Sequence, residues 1–156
     1  MDETTDPGTT HLSVADCWAH LRSCEVGRLA VAIAGRLEIF PVNYVVDQGT
    51  IVFRTAEGTK LAALTVAPLV AFEADGRVAG DTDDAWSVVV KGRTEELRRL
   101  HDVVAADDLP LHPWHGSPKG RFVRVVPHDV TGRRFPVARP EAWETPLTGA
   151  RRAPHE

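Results

Sequence analysis

The sequence predicts a mainly β domain, an antiparallel barrel with short helices at its edge. Three observations carry that expectation. About six segments rich in Val, Ile, Phe and Thr are separated by turn residues, the intervening helical patterns are short, and strand and helix do not alternate as a doubly wound sheet requires.

Residues 1–11 are polar and read as a disordered tail, followed by one domain over 12–137 and a Pro-, Arg- and Glu-rich tail over 138–156. Ser13 is a candidate N-cap for a helix reaching about Ser23, with Val14, Cys17, Trp18 and Leu21 on one face by three-and-four spacing. Glu25 and Gly27 end it. Arg28 to Ala34 and Leu37 to Val46 read as strands joined at Ala34-Gly35-Arg36, and Asp47-Gln48-Gly49 turns the second into a third, Ile51 to Thr55. A helix begins beyond Gly58, over Thr59 to Thr65, and Pro68 marks its stop before a strand from Leu69 to Ala74. Gly76 to Asp84 reads as a loop, Trp86 to Glu95 as a long strand, and Glu96 to Ala106 as a helix turning Leu97, Leu100 and Val104 inward. Pro110, Pro113 and Pro118 exclude regular structure over 109–119, and two last strands follow, Arg121 to Val126 and Val130 to Phe135.

The composition narrows the function classes. A chain of 156 residues with 43% hydrophobic and 26% charged residues is one globular domain's worth. A net charge of -4 opposes general nucleic-acid binding, which needs a basic face for the phosphate backbone. Cys17 and Cys24 would lie about 10 Å apart along a helix, beyond the ~7 Å reach of a disulfide, so they read as reduced thiols. The first ten residues lack the basic and apolar regions of a secretory signal, and no apolar run reaches the ~18 residues of a membrane span. A cytoplasmic location, away from membranes, is expected.

Several positions are candidates for chemistry. A strand ending at Arg54 and Thr55 and running into a helix whose first turn holds Thr59 and Lys60 gathers cations, hydroxyls and free N–H groups at one point. That point suits a phosphate as well as an ordinary helix start. Pro41-Val42-Asn43 interrupts a strand where proline removes a ladder donor, so the strand is an edge or is bulged there. Ser87 is a hydroxyl in a Val-rich strand, next to Trp86, a residue type that serves the core more often than a ligand. His112 and His115 sit in a proline-rich loop with no third ligand near in sequence, which disfavours a metal site. No G-x-S-x-G or G-x-G-x-x-G motif is present.

The blocks Leu37 to Val46, Val52 to Leu64, Ala85 to Thr94 and Val130 to Phe135, in that order, resemble the FMN-binding split-barrel family related to pyridoxamine 5'-phosphate oxidase, in its small actinobacterial-type form. The resemblance spans Leu12 to Phe135. It implies an FMN cofactor with its phosphate at Arg54, Thr55 and Lys60, near Thr59, and its ring edge at Pro41, Val42 and Asn43. The strand of Trp86 and Ser87 would run beside the ring. It further implies a homodimer in which Trp114 and Arg133 approach the partner's cofactor. The implied activity is two-electron transfer between a donor such as NAD(P)H and a small molecule, with no protein nucleophile. A non-catalytic flavin store or sensor uses the same residues. A deazaflavin with a polyglutamate tail would want a basic groove, which the acidic balance disfavours. The Arg and His positions that grip the vitamin's phosphate in pyridoxamine 5'-phosphate oxidase proper have no match near the C-terminus.

Overall fold

The computed structural model describes residues 8–55, 64, 69–80, 82–98, 102, 105–106, 109–111 and 120–138. Its elements are β1 (Thr10–His11), α1 (Val14–Arg22), β2 (Val26–Ile33), β3 (Arg36–Asp47), β4 (Thr50–Thr55), β5 (Leu69–Arg77), β6 (Asp84–Glu96) and β7 (Arg121–Pro136). All strand pairs are antiparallel, in the order β1-β7-β4-β3-β2-β5-β6, and a further β6–β7 pairing closes β2 through β7 into a ring. Closure removes the sheet edges that an open meander would expose. The expected antiparallel barrel is the fold.

Two hairpins of two-residue loops build one side of the ring. Ala34 and Gly35 (φ 47° and 76°) join β2 to β3, and Gln48 and Gly49 (φ 48° and 71°) join β3 to β4. Two successive positive φ values give a turn whose twist matches that of the flanking strands. Alternate residues then fill the barrel, as in Val70, Phe72 and Ala74 of β5 and Trp86, Val88 and Val90 of β6. From α1, Cys17 and Leu21 add to this core. Ser13 caps that helix, its hydroxyl accepting from the Asp16 N–H at 3.1 Å. A smaller cluster of Val52, Ala106, Leu111 and Phe122 lies on the outer side of β4 and β7.

The structure differs from the sequence reading in several places. Thr10 and His11 are not tail but β1, paired with Arg134 and Arg133. The segment from Arg121 to Phe135 is one strand rather than two. Its ladder with β6 shifts register between Lys91 and Gly92, where Gly92 faces Pro127 and Lys91 faces Asp129. A bulge absorbs His128 and tolerates the missing donor of Pro127, so a proline that suggested a break only bends the strand. The loop expected over Gly76 to Asp84 shrinks to 78–83, because Gly76 and Arg77 pair with Trp86 and Ala85. Gly76 serves the strand by leaving room for the Trp86 indole, which a Cβ would meet at 3.1 Å. Glu96 closes β6 instead of opening a helix. Of that expected helix, 102, 105 and 106 are described as helical and Leu97 packs against the outer cluster, while Leu100 and Val104 lie outside the described residues. The helix expected over Thr59 to Thr65 also lies outside them, apart from Leu64.

Candidate functional site: an opening between two strands

The ladder between β3 and β4 runs from Asp47↔Thr50 to Tyr44↔Phe53 and stops there, while β3 continues with β2 as far as Ile33↔Arg36. β4 meanwhile continues with β7, pairing Arg54 with Phe122 and Thr55 with Arg121. The two strands therefore part just past Tyr44, and Pro41, Asn43 and Arg54 flank the opening.

Which backbone groups face that opening follows from one hydrogen bond. The Tyr44 N–H donates to the Glu25 carbonyl at 3.0 Å, so Tyr44, and with it Val42 and Phe40, direct their main-chain groups toward β2. Asn43, Pro41, Ile39 and Leu37 direct theirs the other way. Pro41 thus costs β3 no bond to β2. Val42 turns its N–H and C=O to Gly27 and its side chain into the core, so neither its main chain nor its side chain faces the opening.

Arg54 is half-buried on the outer face of β4, its guanidinium carbon 5.0 Å from the centre of the Phe122 ring. An aromatic face beneath a guanidinium holds its plane. Thr55, the next residue, is buried and on the opposite face, as alternation along a strand dictates. Thr59 and Lys60, the other residues expected at a phosphate, lie outside the described residues, as does Trp114.

Trp86 and Ser87 lie elsewhere. The Trp86 indole is in the core and stacks on His20, ring centres 4.8 Å apart, so it is core packing rather than a cofactor platform. Ser87 faces Arg133 across the β6–β7 ladder, and Arg133 in turn faces His11. Arg133 lies roughly 35 Å further along β7 than Phe122 at about 3.3 Å per residue, so one protomer does not bring Arg133 to Arg54. The candidate residues fall into two groups, Pro41, Asn43 and Arg54 in one and Ser87 and Arg133 in the other.

Tyr44 and Phe122 were not singled out in the sequence. The buried Tyr44 hydroxyl donates to the Leu21 carbonyl at 2.6 Å and ties the end of α1 to β3 beside the opening. Burial pushes its pKa well above the usual phenol value. Its ring meets Phe72 edge-on at 4.7 Å. Beside it, Leu21, Asn43, Tyr44 and Leu111 line a cleft of about 310 Å³. On the outer face of β2 and β5, Arg28 bonds Glu73 and Asp75, and the Asp75 contact leads the causes that raise its pKa. Among the described residues no group of three His, Cys, Asp or Glu side chains is arranged for a metal ion, and no helix is long and apolar enough to cross a membrane.

The comparisons with known proteins agree with this architecture. The model of the family described as pyridoxamine 5'-phosphate oxidase matches residues 13–134. A Corynebacterium glutamicum protein named for pyridoxamine 5'-phosphate oxidase superposes with a TM-score of 0.76 at 39% identity, over 86% of this chain and 98% of that one. A Mycobacterium smegmatis protein called an FAD binding protein gives 0.67 at 40% identity, covering 81% of this chain and 99% of its own. An FAD-binding protein of Mesorhizobium loti gives 0.68 at 27% identity, covering 81% and 96%. With a split six-strand ring of this order and a family match that takes in all but the ends, the chain belongs to the pyridoxamine 5'-phosphate oxidase family.

Proposed function

We propose that the chain binds FMN at the opening between β3 and β4 and acts as a flavin-dependent oxidoreductase on a small molecule. The observation that carries the reading is the juxtaposition of Arg54, braced on Phe122, with the outward-directed main-chain groups of Pro41 and Asn43. A flavin nucleotide needs a cation for its phosphate and donors and acceptors for the edge of its ring, and both kinds of group flank this gap. Arg54 would hold the phosphate with Thr59 and Lys60, while the side chain of Thr55 faces away from it, and Asn43 with the Pro41 carbonyl would hold the ring edge. The flavin, when bound, supplies two-electron chemistry, with NAD(P)H as a donor class. The relatives called FAD-binding favour a flavin, and because FMN and FAD share the ring and the first phosphate the same residues serve either.

The reading includes a homodimer with cofactor sites at the interface. It is supported by an apolar outer face of β3, β2 and β5, where Leu37, Ile39 and Leu69 are 85%, 68% and 63% exposed beside Ala30, Ala32 and Ala71. The separation of Arg133 from Arg54 within one chain supports it too, since a partner could supply the second cation. Titration with FMN and FAD tests the assignment. Arg54→Ala should weaken flavin binding about tenfold or more, the cost of roughly 1.5–3 kcal/mol for a lost charge-assisted bond. Unchanged affinity in Arg54→Ala would remove the site from this opening. Sedimentation should give twice 17.0 kDa.

A further inference from the structure

The first four residues of β3, Arg36 to Ile39, lie beyond its ladder with β4 and are all exposed. Leu37 and Ile39 are 85% and 68% exposed, and at that exposure neither has a strand beside it on the side away from β2. Their N–H and C=O groups are the ones that point to that side, as the alternation set by the Tyr44–Glu25 bond requires. Arg36 and Glu38 turn their main chain to β2 instead, and their side chains lie on the opposite face from Leu37 and Ile39. The edge therefore carries two charges of opposite sign, equally far from Leu37. Charges on an edge strand usually keep other strands away. Opposite charges placed evenly about one residue have a complementary partner all the same, which is this edge reversed.

We infer that two copies of this chain join β3 edge to β3 edge, antiparallel, about a two-fold axis through Leu37. Residues opposite one another in an antiparallel pair share a face, so the axis falls on a residue, and the four choices can be compared. With the axis at Leu37, each Leu37 exchanges both main-chain bonds with the partner's Leu37. Each Arg36 then lies opposite the partner's Glu38 in the closer, non-hydrogen-bonded kind of pair, Cα atoms about 4.5 Å apart, where opposite charges attract. An axis at Arg36 or at Glu38 would set like charges in that close pair. An axis at Ile39 would set Leu37 opposite the partner's Pro41, which has no N–H to donate. One register survives, and because the two-fold uses the edge of both copies, pairing stops at a dimer. The inference rests on the homodimer reading above and supplies its register. It also places each Pro41 roughly 13 Å along the strand from the axis, at about 3.3 Å per residue, so both openings lie close to the partner.

A single cysteine reads the register. On mild oxidation of the full chain, Leu37→Cys should link into a covalent dimer, since opposite residues in a hydrogen-bonded pair have Cα atoms about 5.5 Å apart, within disulfide reach. Ile39→Cys should not link, because its counterpart lies four residues further along the ladder, roughly 13 Å away. The unmodified chain, with Cys17 buried and Cys24 half-buried, is the control. Sedimentation over a dilution series gives a second readout that needs no added cysteine. Arg36→Glu and Glu38→Arg should each weaken the dimer at least about tenfold, because both crossed pairs become like-charged, and the two substitutions together should restore it. Equal linking by the two cysteine variants, or a double exchange no better than the single ones, overturns the edge pairing and leaves the homodimer reading standing. An unmodified chain that sediments as a monomer at every dilution overturns both.

Discussion

At the scale of single residues, glycine and buried titratable groups set the tolerances. A Cβ on Gly92 would overlap the Val126 carbonyl oxygen and meet the Pro127 Cα at 3.0 Å, both backbone atoms that have no room to yield. Gly92→Ala should therefore lose about 1–3 kcal/mol in urea denaturation. Tyr44→Phe should lose about 1 kcal/mol, since the Leu21 carbonyl keeps the Cys24 N–H as a donor. Burial, then the Asp16 charge, raises the Cys17 thiol, and burial raises Tyr44. Both groups ionise earlier in the unfolded chain, which then binds fewer protons than the folded one, so stability falls as pH rises. The fall should begin above the ordinary thiol value of about 8.5 and steepen above the phenol value of about 10. Urea midpoints measured from pH 7 to pH 10.5 check this, and Cys17→Ala should flatten the first part of the decline. Arg54 was legible as a candidate from its place at a strand end. Phe122 beneath it was not, because the contact depends on a register between strands far apart in sequence.

Elements show how much a local pattern can say. Ser13 as N-cap and the ends of β2, β3 and β4 were readable within a residue or two, because caps and two-residue turns are local chemistry. The proline of β3 was readable as an edge signal, but only the Tyr44–Glu25 hydrogen bond tells which residues face the edge. That assignment makes an asymmetric prediction about neighbours. Ile39→Pro removes an N–H that points to the open side and should leave the melting temperature within a few degrees. Phe40→Pro removes one that points to Leu29 in β2 and should cost about 3 kcal/mol. Equal losses in thermal melts of the two variants would show the alternation to be the reverse. Ser13→Ala should cost about 1 kcal/mol, seen as reduced helical signal at the start of the melt. The continuous β7 escaped the sequence because a bulge accommodates Pro127, and bulges leave no composition mark.

For the whole molecule, the barrel was legible as a class and its closure was not. Short strands with turn residues between them predict an antiparallel sheet, but nothing local in Ile51 to Thr55 says that it pairs with Arg121 to Val125. The neighbourhood of Trp86 and Arg133 likewise depends on closure, which is why a tryptophan expected near a ligand is found in the core. The same topology orders events in time. β2, β3 and β4 meet through two-residue turns and can assemble early, whereas joining β4 to β7 must close a loop of about half the domain before any contact repays it. The arrival of β7 is thus the expected slow step of refolding. Ala34, held at φ 47° where only glycine is at ease, burdens the early hairpin instead. Ala34→Gly should raise stability by up to about 1 kcal/mol. Stopped-flow refolding should show that gain as faster folding with little change in unfolding if the hairpin is already formed when β7 docks. A chain whose last strand must find both β4 and β6 spends its unfinished life with two exposed edges, so the ribosome's delay in delivering residues 121–136 is also the period in which this protein is most open to aggregation.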